Sequence, residues 1–108
     1  TMLRQFEYTR ADGAIPYRSW LKRIDPLARA KVTAAVSKLQ HGNTSNLKRI
    51  GSISELRIDW GPGYRVYLAI EQNTLLILFG GGTKHRQSED ILHAKELYFE
   101  YKTRKSRE

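Results

Sequence analysis

Apolar residues recur along this chain with two periods, first near 3.6 and then 2, and the change between them divides the sequence. Tyr17, Trp20, Leu21 and Ile24 fall at i, i+3, i+4 and i+7, which predicts an amphipathic helix opened by Pro16. Asp25-Pro26 closes that helix and starts another, with Asp25 as cap and Pro26 at the first helical position. Val32, Ala35, Val36 and Leu39 supply its buried face and Gly42 ends it. Arg18, Lys22, Arg23, Arg29 and Lys38 are left mostly for the outer surface of this helical hairpin. Ahead of it, Leu3 to Tyr8 reads as a strand running into the turn cluster Ala11-Asp12-Gly13.

From His41 to Ser54 the chain turns to Gly, Asn, Ser and Thr, with Lys48 and Arg49, and reads as a connecting loop. Period 2 then takes over. Leu56, Ile58 and Trp60 alternate with Arg57 and Asp59; after Gly61-Pro62-Gly63, the residues Tyr64, Val66, Leu68 and Ile70 alternate with Arg65, Tyr67 and Ala69. A three-residue loop at 61–63 would set Trp60 opposite Tyr64, Asp59 opposite Arg65 and Arg57 opposite Tyr67, collecting the polar residues on one face. A two-residue turn at Gln72-Asn73 would set residues 65 and 80 side by side, bringing Arg65 to the mouth of a loop from Gly80 to Arg86. Thr74 to Phe79 is a continuous apolar strand. Ser88 can cap a last helix with Glu89 and Asp90 in its first turn and Ile91, Ala94, Tyr98 and Tyr101 on its inner side. The expected fold is one α+β domain over residues 1–108, with an N-terminal strand, a helical hairpin and a three-stranded antiparallel meander completing a four-stranded sheet. A C-terminal helix follows, the helices forming a layer on one side of the sheet, and residues 102–108 form a disordered basic tail.

Composition narrows the function. Nineteen Lys and Arg against 11 Asp and Glu leave a formal charge of +8, which points to a polyanionic partner. The cations lie within folded segments as well as in the tail, and no helix pairs a Lys/Arg face with a broad Trp/Phe/Leu face, so nucleic acid is favoured over a membrane surface. An acidic protein is the plainer alternative. With no cysteine, disulfide frameworks and thiolate metal sites are excluded and a reducing cytoplasm is allowed. The apolar run Leu75 to Phe79 is far below the roughly 18 to 20 residues that span a bilayer. No signal-type segment is evident, and Met2 is the expected native start, with Thr1 an addition before it.

The same pairing scheme gathers Arg57, Arg65, Tyr67, Lys84, His85 and Arg86 around one strand end. Such a cluster suits RNA cleavage through the ribose 2′-hydroxyl. Arg65 and Lys84 would stabilise the extra phosphoryl charge, one as a planar fork and the other as a point charge. His85, with an ordinary pKa of about 6.5, would shuttle protons, and Tyr67 would stack on a base or donate to a phosphate. Each element also has a plain reading, since Arg65 and Asp59 could be only a cross-strand ion pair and residues 84–86 a solvated loop. His41, His85 and His93 lack the spacing and carboxylate company of a metal site, and Gly80-Gly81-Gly82 lacks the lysine of a phosphate-binding loop. No metal or cofactor is expected.

Glu55-Leu56-Arg57-Ile58, Gly61-Pro62-Gly63-Tyr64-Arg65-Val66-Tyr67, and then Gly80-Gly81, Lys84, Gln87 and Asp90-Ile91 before the last helix, resemble the addiction-module killer proteins. These are a HigB-like branch of the RelE/ParE superfamily, and the resemblance runs from Trp20-Leu21 to Ala94. It implies a RelE-like fold and a cytoplasmic toxin of a type II toxin-antitoxin module, an mRNA interferase that cuts mRNA in the ribosomal decoding site without a metal. It also implies a cognate helix-turn-helix antitoxin as partner, operator DNA being reached only through that antitoxin. Arg57, Arg65 and Lys84 match the family's basic positions, and Gln87 and Asp90 its motif at the helix start; His85 is this chain's own. The expected catalytic set is Arg65, Lys84 and His85, with Arg57, Tyr67, Arg86 and Gln87 binding RNA. Two rivals stand beside this reading: a ParE-like inhibitor of DNA gyrase acting by binding alone, and a non-catalytic nucleic-acid-binding module.

Overall fold

A computed structural model describes residues 2–108 of the chain; Thr1, set aside above, lies outside them. The elements in order are β1 (Arg4–Glu7), α1 (Pro16–Arg23), α2 (Pro26–Gln40), β2 (Leu47–Ile50), β3 (Ile53–Ile58), β4 (Tyr64–Glu71), β5 (Leu75–Gly82), a 3-10 turn (Lys84–Arg86) and α3 (Gln87–Ser106). The helical hairpin forms where the 3.6 period places it. Pro16 and Pro26 open the two helices, and the Asp25 carboxylate accepts the Ala28 N–H at 3.1 Å, satisfying one of the orphan donors of the first turn. Arg29, assigned above to the outer surface, folds back instead. Its Nε donates to the Leu21 carbonyl at 3.0 Å and its Nη2 to the Lys22 carbonyl at 3.1 Å, so one helix's cation closes the last turn of the other.

The sheet has five strands in the order β1-β5-β4-β3-β2, with β1 parallel to β5 and the other pairs antiparallel. This corrects the expected four. The additional strand, β2, lies inside the segment read as loop, because Gly51, at φ 62°, turns Leu47–Ile50 back onto β3 and half-buries Leu47 and Ile50. Both hairpin registers also differ from expectation. Residues 59–63 all lie in the first connection, so Ile58 faces Tyr64, Arg57 faces Arg65 and Glu55 faces Tyr67. The slip is two residues, which preserves the faces and changes every partner. In the second hairpin Gln72 and Asn73 both take positive φ, Glu71 pairs with Leu75, and a bulge follows where Leu68 faces Leu78 and Tyr67 faces Gly80. Arg65 therefore faces Gly82, and the glycine run is strand rather than loop.

Helices cover both faces of this sheet, not one. On one side α1 and α2 bury Trp20, Leu21, Val32, Val36 and Leu39 against Leu56, Val66, Leu68, Leu76 and Leu78. On the other, Ala94 and Leu97 of α3 pack with Tyr8, Ile53, Tyr67, Ala69, Ile77 and Phe79. β4 lies in the middle and is buried from Tyr64 to Ala69, which explains why its alternation was easy to see and its second face was not. The basic C-terminal segment is helical through Ser106 rather than disordered. Arg104 donates to the Thr9 carbonyl at 2.8 Å and to the Tyr8 hydroxyl at 3.1 Å, and Lys105 lies 3.8 Å from Glu71, so its cations have partners on the sheet. Among the described residues, no helix is long and apolar enough to cross a membrane.

Candidate nucleic-acid site

Arg57, Arg65 and Gly82 form one row across β3, β4 and β5, with Glu55, Tyr67 and Gly80 in the next row. Tyr67 belongs to the core under α3, so this is the α3 face of the sheet, near the strand ends where α3 begins. Two arginines directly opposite each other repel. Glu55, diagonal to Arg65 and only 2% exposed, offsets that repulsion, its Oε2 lying 3.6 Å from Arg65 Nε. The same oxygen accepts a hydrogen bond from Gln87 Nε2 at 2.9 Å, which ties the first residue of α3 to the ion pair. Asp59, the expected partner of Arg65, is exposed in the preceding connection instead.

Arg65 is itself only 8% exposed. Its Nε and the Tyr67 hydroxyl are buried donors without a hydrogen-bond acceptor among the described residues. Burial above all, then the Glu55 and Asp90 carboxylates, pushes the Tyr67 phenol far above its ordinary range, so it stays a neutral donor. A stacking role for Tyr67 is corrected here: its ring is fully buried and offers no face to a base. Arg65→Ala would strand a buried carboxylate, so the fold depends on Arg65 as well.

The glycines are there because two helices press on β5 from opposite sides. A Cβ on Gly81 would lie 2.5 Å from the Trp20 ring of α1, and one on Gly82 would lie 2.1 Å from Asp90 Oδ2 of α3. Asp90 thus fills the third place in the arginine row. Burial raises its pKa, the nearby Arg86 and His93 opposing that rise and Glu89 adding to it.

Lys84, His85 and Arg86 are exposed on the 3-10 turn that links Gly82 to α3. Arg86 is turned toward Glu89 in a surface ion pair, and the helix starts at Gln87 without a side-chain cap, so the expected capping by Ser88 does not occur. Gln87 reaches Glu55 rather than solvent. His41 Nδ1 meets the Ser37 carbonyl at 2.8 Å, consistent with a capping position at the end of α2. Glu55 escaped the sequence reading. Its signal was the alternation Ile53, Glu55, Arg57, which places a carboxylate two residues from a core isoleucine on the same face.

The arrangement can bind a phosphodiester. Glu55 orients Arg65 through Nε, and among the described residues no protein acceptor takes a hydrogen bond from any of its nitrogens, which leaves the terminal fork for an anion. Arg57 stands beside it, exposed and without an ion pair among the described residues.

No family model matches the chain. An uncharacterized protein of Haemophilus influenzae is 45% identical over 85 residues, which span 77% of this chain and 86% of that protein. Identity at that level, over most of both chains, makes the two one family: this chain belongs with that Haemophilus influenzae protein.

Proposed function

We propose that the chain is the toxin of a type II toxin-antitoxin module, a HigB-like member of the RelE/ParE superfamily that cleaves mRNA on the ribosome and so inhibits translation in the cytoplasm. The observation that carries this reading is the arginine row, in which Arg65 is oriented by the buried Glu55 and faces Gly82, two residues before Lys84. In the reaction the ribose 2′-oxygen gives up its proton and bonds to phosphorus. The bond to the 5′-oxygen breaks, and that oxygen takes a proton. A 2′,3′-cyclic phosphate and a free 5′-hydroxyl result, and no metal is needed.

Arg65 and Lys84 stabilise the added charge on the phosphoryl oxygens, while Arg57 holds the adjoining backbone. His85, exposed on the 3-10 turn, moves the protons. Arg86 and Gln87 have a lesser share in binding, since Glu89 and Glu55 already occupy them. A small helix-turn-helix antitoxin is the proposed partner that restrains the activity and brings the pair to operator DNA.

The test is primer extension on a reporter mRNA after brief induction. Ribosome-dependent cuts are expected from the wild type; Arg65→Lys, which keeps the charge without the fork, should lower cleavage by about 10²-fold or more. His85→Ala should reduce it less, and wild-type cleavage by that variant removes His85 from the mechanism. Intact mRNA accompanied by induced DNA damage would replace the ribonuclease with a gyrase inhibitor.

A further inference from the structure

A second cationic feature lies at the end of β3, toward α2. The β2–β3 ladder ends at Leu47 and Leu56, with one further bond from the Arg57 N–H to the Asn46 carbonyl at 3.0 Å, and a groove of about 410 Å³ opens between the end of β3 and α2. Lys31, Lys38, Arg57, Asn43, Asn46 and Trp60 line it. Ala34 and Ala35 lie between the two lysines, and their small side chains keep the floor low. Among the described residues, Lys31, Lys38 and Arg57 form no ion pair; Asp59 at the rim is the one carboxylate in the lining, so cations outnumber it three to one.

Lys31 and Lys38 stand seven residues apart on one helix, roughly 10 Å along its axis. Extended along the helix, the two ammonium groups suit successive charges of a polymer with repeating negative charge. Trp60 adds a second kind of contact. It is half-buried against the α1 and α2 core, with its ring stacked on Tyr64 at 6.4 Å and 23°. Stacking on such a ring suits a nucleobase and offers nothing particular to an acidic peptide. The exposed Asn46 amide supplies a donor and an acceptor of the kind that read base edges, while the Asn43 oxygen already accepts the Ser45 N–H at 3.0 Å and its amide nitrogen is left to donate. Arg57 belongs to both surfaces: it lines the groove and faces Arg65 across the ladder.

We propose that this groove is a strand-binding subsite for single-stranded RNA, holding the nucleotides that flank the phosphate bound at Arg65, with Trp60 as the stacking platform and Lys31 and Lys38 on successive stretches of backbone. The inference rests on the ribonuclease reading for its direction, from groove to Arg65, but not for its existence.

Binding, rather than cleavage, therefore tests it. A fluorescein-labelled 12-nucleotide oligoribonucleotide is titrated with the full chain and with the double variant Lys31→Ala/Lys38→Ala over a range of salt concentrations. The variant should bind about tenfold or more weakly at low salt. Its slope of log affinity against log salt should be shallower by about 1.4, at about 0.7 for each of two phosphates no longer neutralised. Trp60→Leu should weaken binding by roughly tenfold while leaving the slope unchanged, the signature of lost stacking rather than lost charge. Matching circular dichroism and thermal unfolding of the variants keep the comparison among folded proteins. Unchanged affinity and slope in the double variant overturn the proposal. So does a poly-glutamate peptide of equal charge that binds as tightly as the RNA with the same dependence on the lysines and none on Trp60, which would make the groove a protein-docking surface. A wild type that binds RNA through these residues but leaves the reporter mRNA uncut on the ribosome sinks the ribonuclease reading and leaves the groove standing.

Discussion

A guanidinium that is 8% exposed and a carboxylate that is 2% exposed depend on each other in a way surface charges do not. Exposed ion pairs contribute about 0–1 kcal/mol, but removing one member of a buried pair leaves the other uncompensated and costs about 3–5 kcal/mol. Arg65→Ala should lose stability on that scale, with Glu55 left to Gln87 alone. Adding Glu55→Gln to Arg65→Ala removes the stranded charge, so the double variant should be more stable than the sum of the two single changes implies, by about 1 kcal/mol or more. Urea unfolding of the four proteins measures the coupling; strict additivity would show that the 3.6 Å approach is not an energetic pair. The consequence for function is practical. A loss of the proposed activity in Arg65→Ala would confound folding with chemistry, and Arg65→Lys is the more informative change.

At the scale of elements, the end of β1 is bound to α3 by one cluster. Glu100 accepts from the Tyr8 hydroxyl at 2.6 Å and from Arg10 Nη2 at 2.9 Å, while Arg104 reaches Tyr8 and the Thr9 carbonyl from the next turn of the helix. The Arg10 hydrogen bond first, and the Tyr8 hydroxyl next, hold the Glu100 carboxyl below its ordinary value of 4.5. A depressed carboxyl pKa stabilises the fold above the unfolded value and loses that contribution as pH falls through the folded one. Glu100→Gln should therefore melt below the wild type at pH 7, and the gap should close as pH drops beneath 4.5. Thermal unfolding at a series of pH values checks this, and a gap that stays constant would mean that the cluster acts through shape and not charge. These contacts are also why the basic end of the chain was misread. Its composition has no apolar content to signal order, and the partners that order it lie far away in sequence, Thr9 and Tyr8 by 95 and 96 residues and Glu71 by 34.

For the whole molecule, the legible part was whatever repeats locally: both helices of the hairpin, the three meander strands and the last helix follow from periods of 3.6 and 2 with Pro, Gly and Asp at the boundaries. What could not be read depends on distant packing. Two residues of register slip, the bulge beside Phe79 and the short β2 have no periodic signature, and with them went the true partner of Arg65 and the burial of Tyr67. The second helical layer was missed for the same reason, because an apolar alternation identifies one buried face and says nothing of a helix arriving on the other. That two-sided packing makes a prediction of its own. The cores share β4 and β5, so neither layer has a sheet to rest on once the other has lost its strands. Leu39→Ala on the α2 side and Leu97→Ala on the α3 side should each cost about 2–5 kcal/mol, and both should shift a single unfolding transition without changing its denaturant slope. The tryptophans mark one side. Trp20 and Trp60 lie with the α1 and α2 core, as do Tyr17 and Tyr64, so tryptophan fluorescence reports that layer, whereas far-ultraviolet circular dichroism reports α3 together with the other helices. Coincident midpoints from the two probes, in the wild type and both variants, are the expected result; a loss of helical signal that precedes the tryptophan transition in Leu97→Ala would mean that α3 detaches while the remainder stays folded.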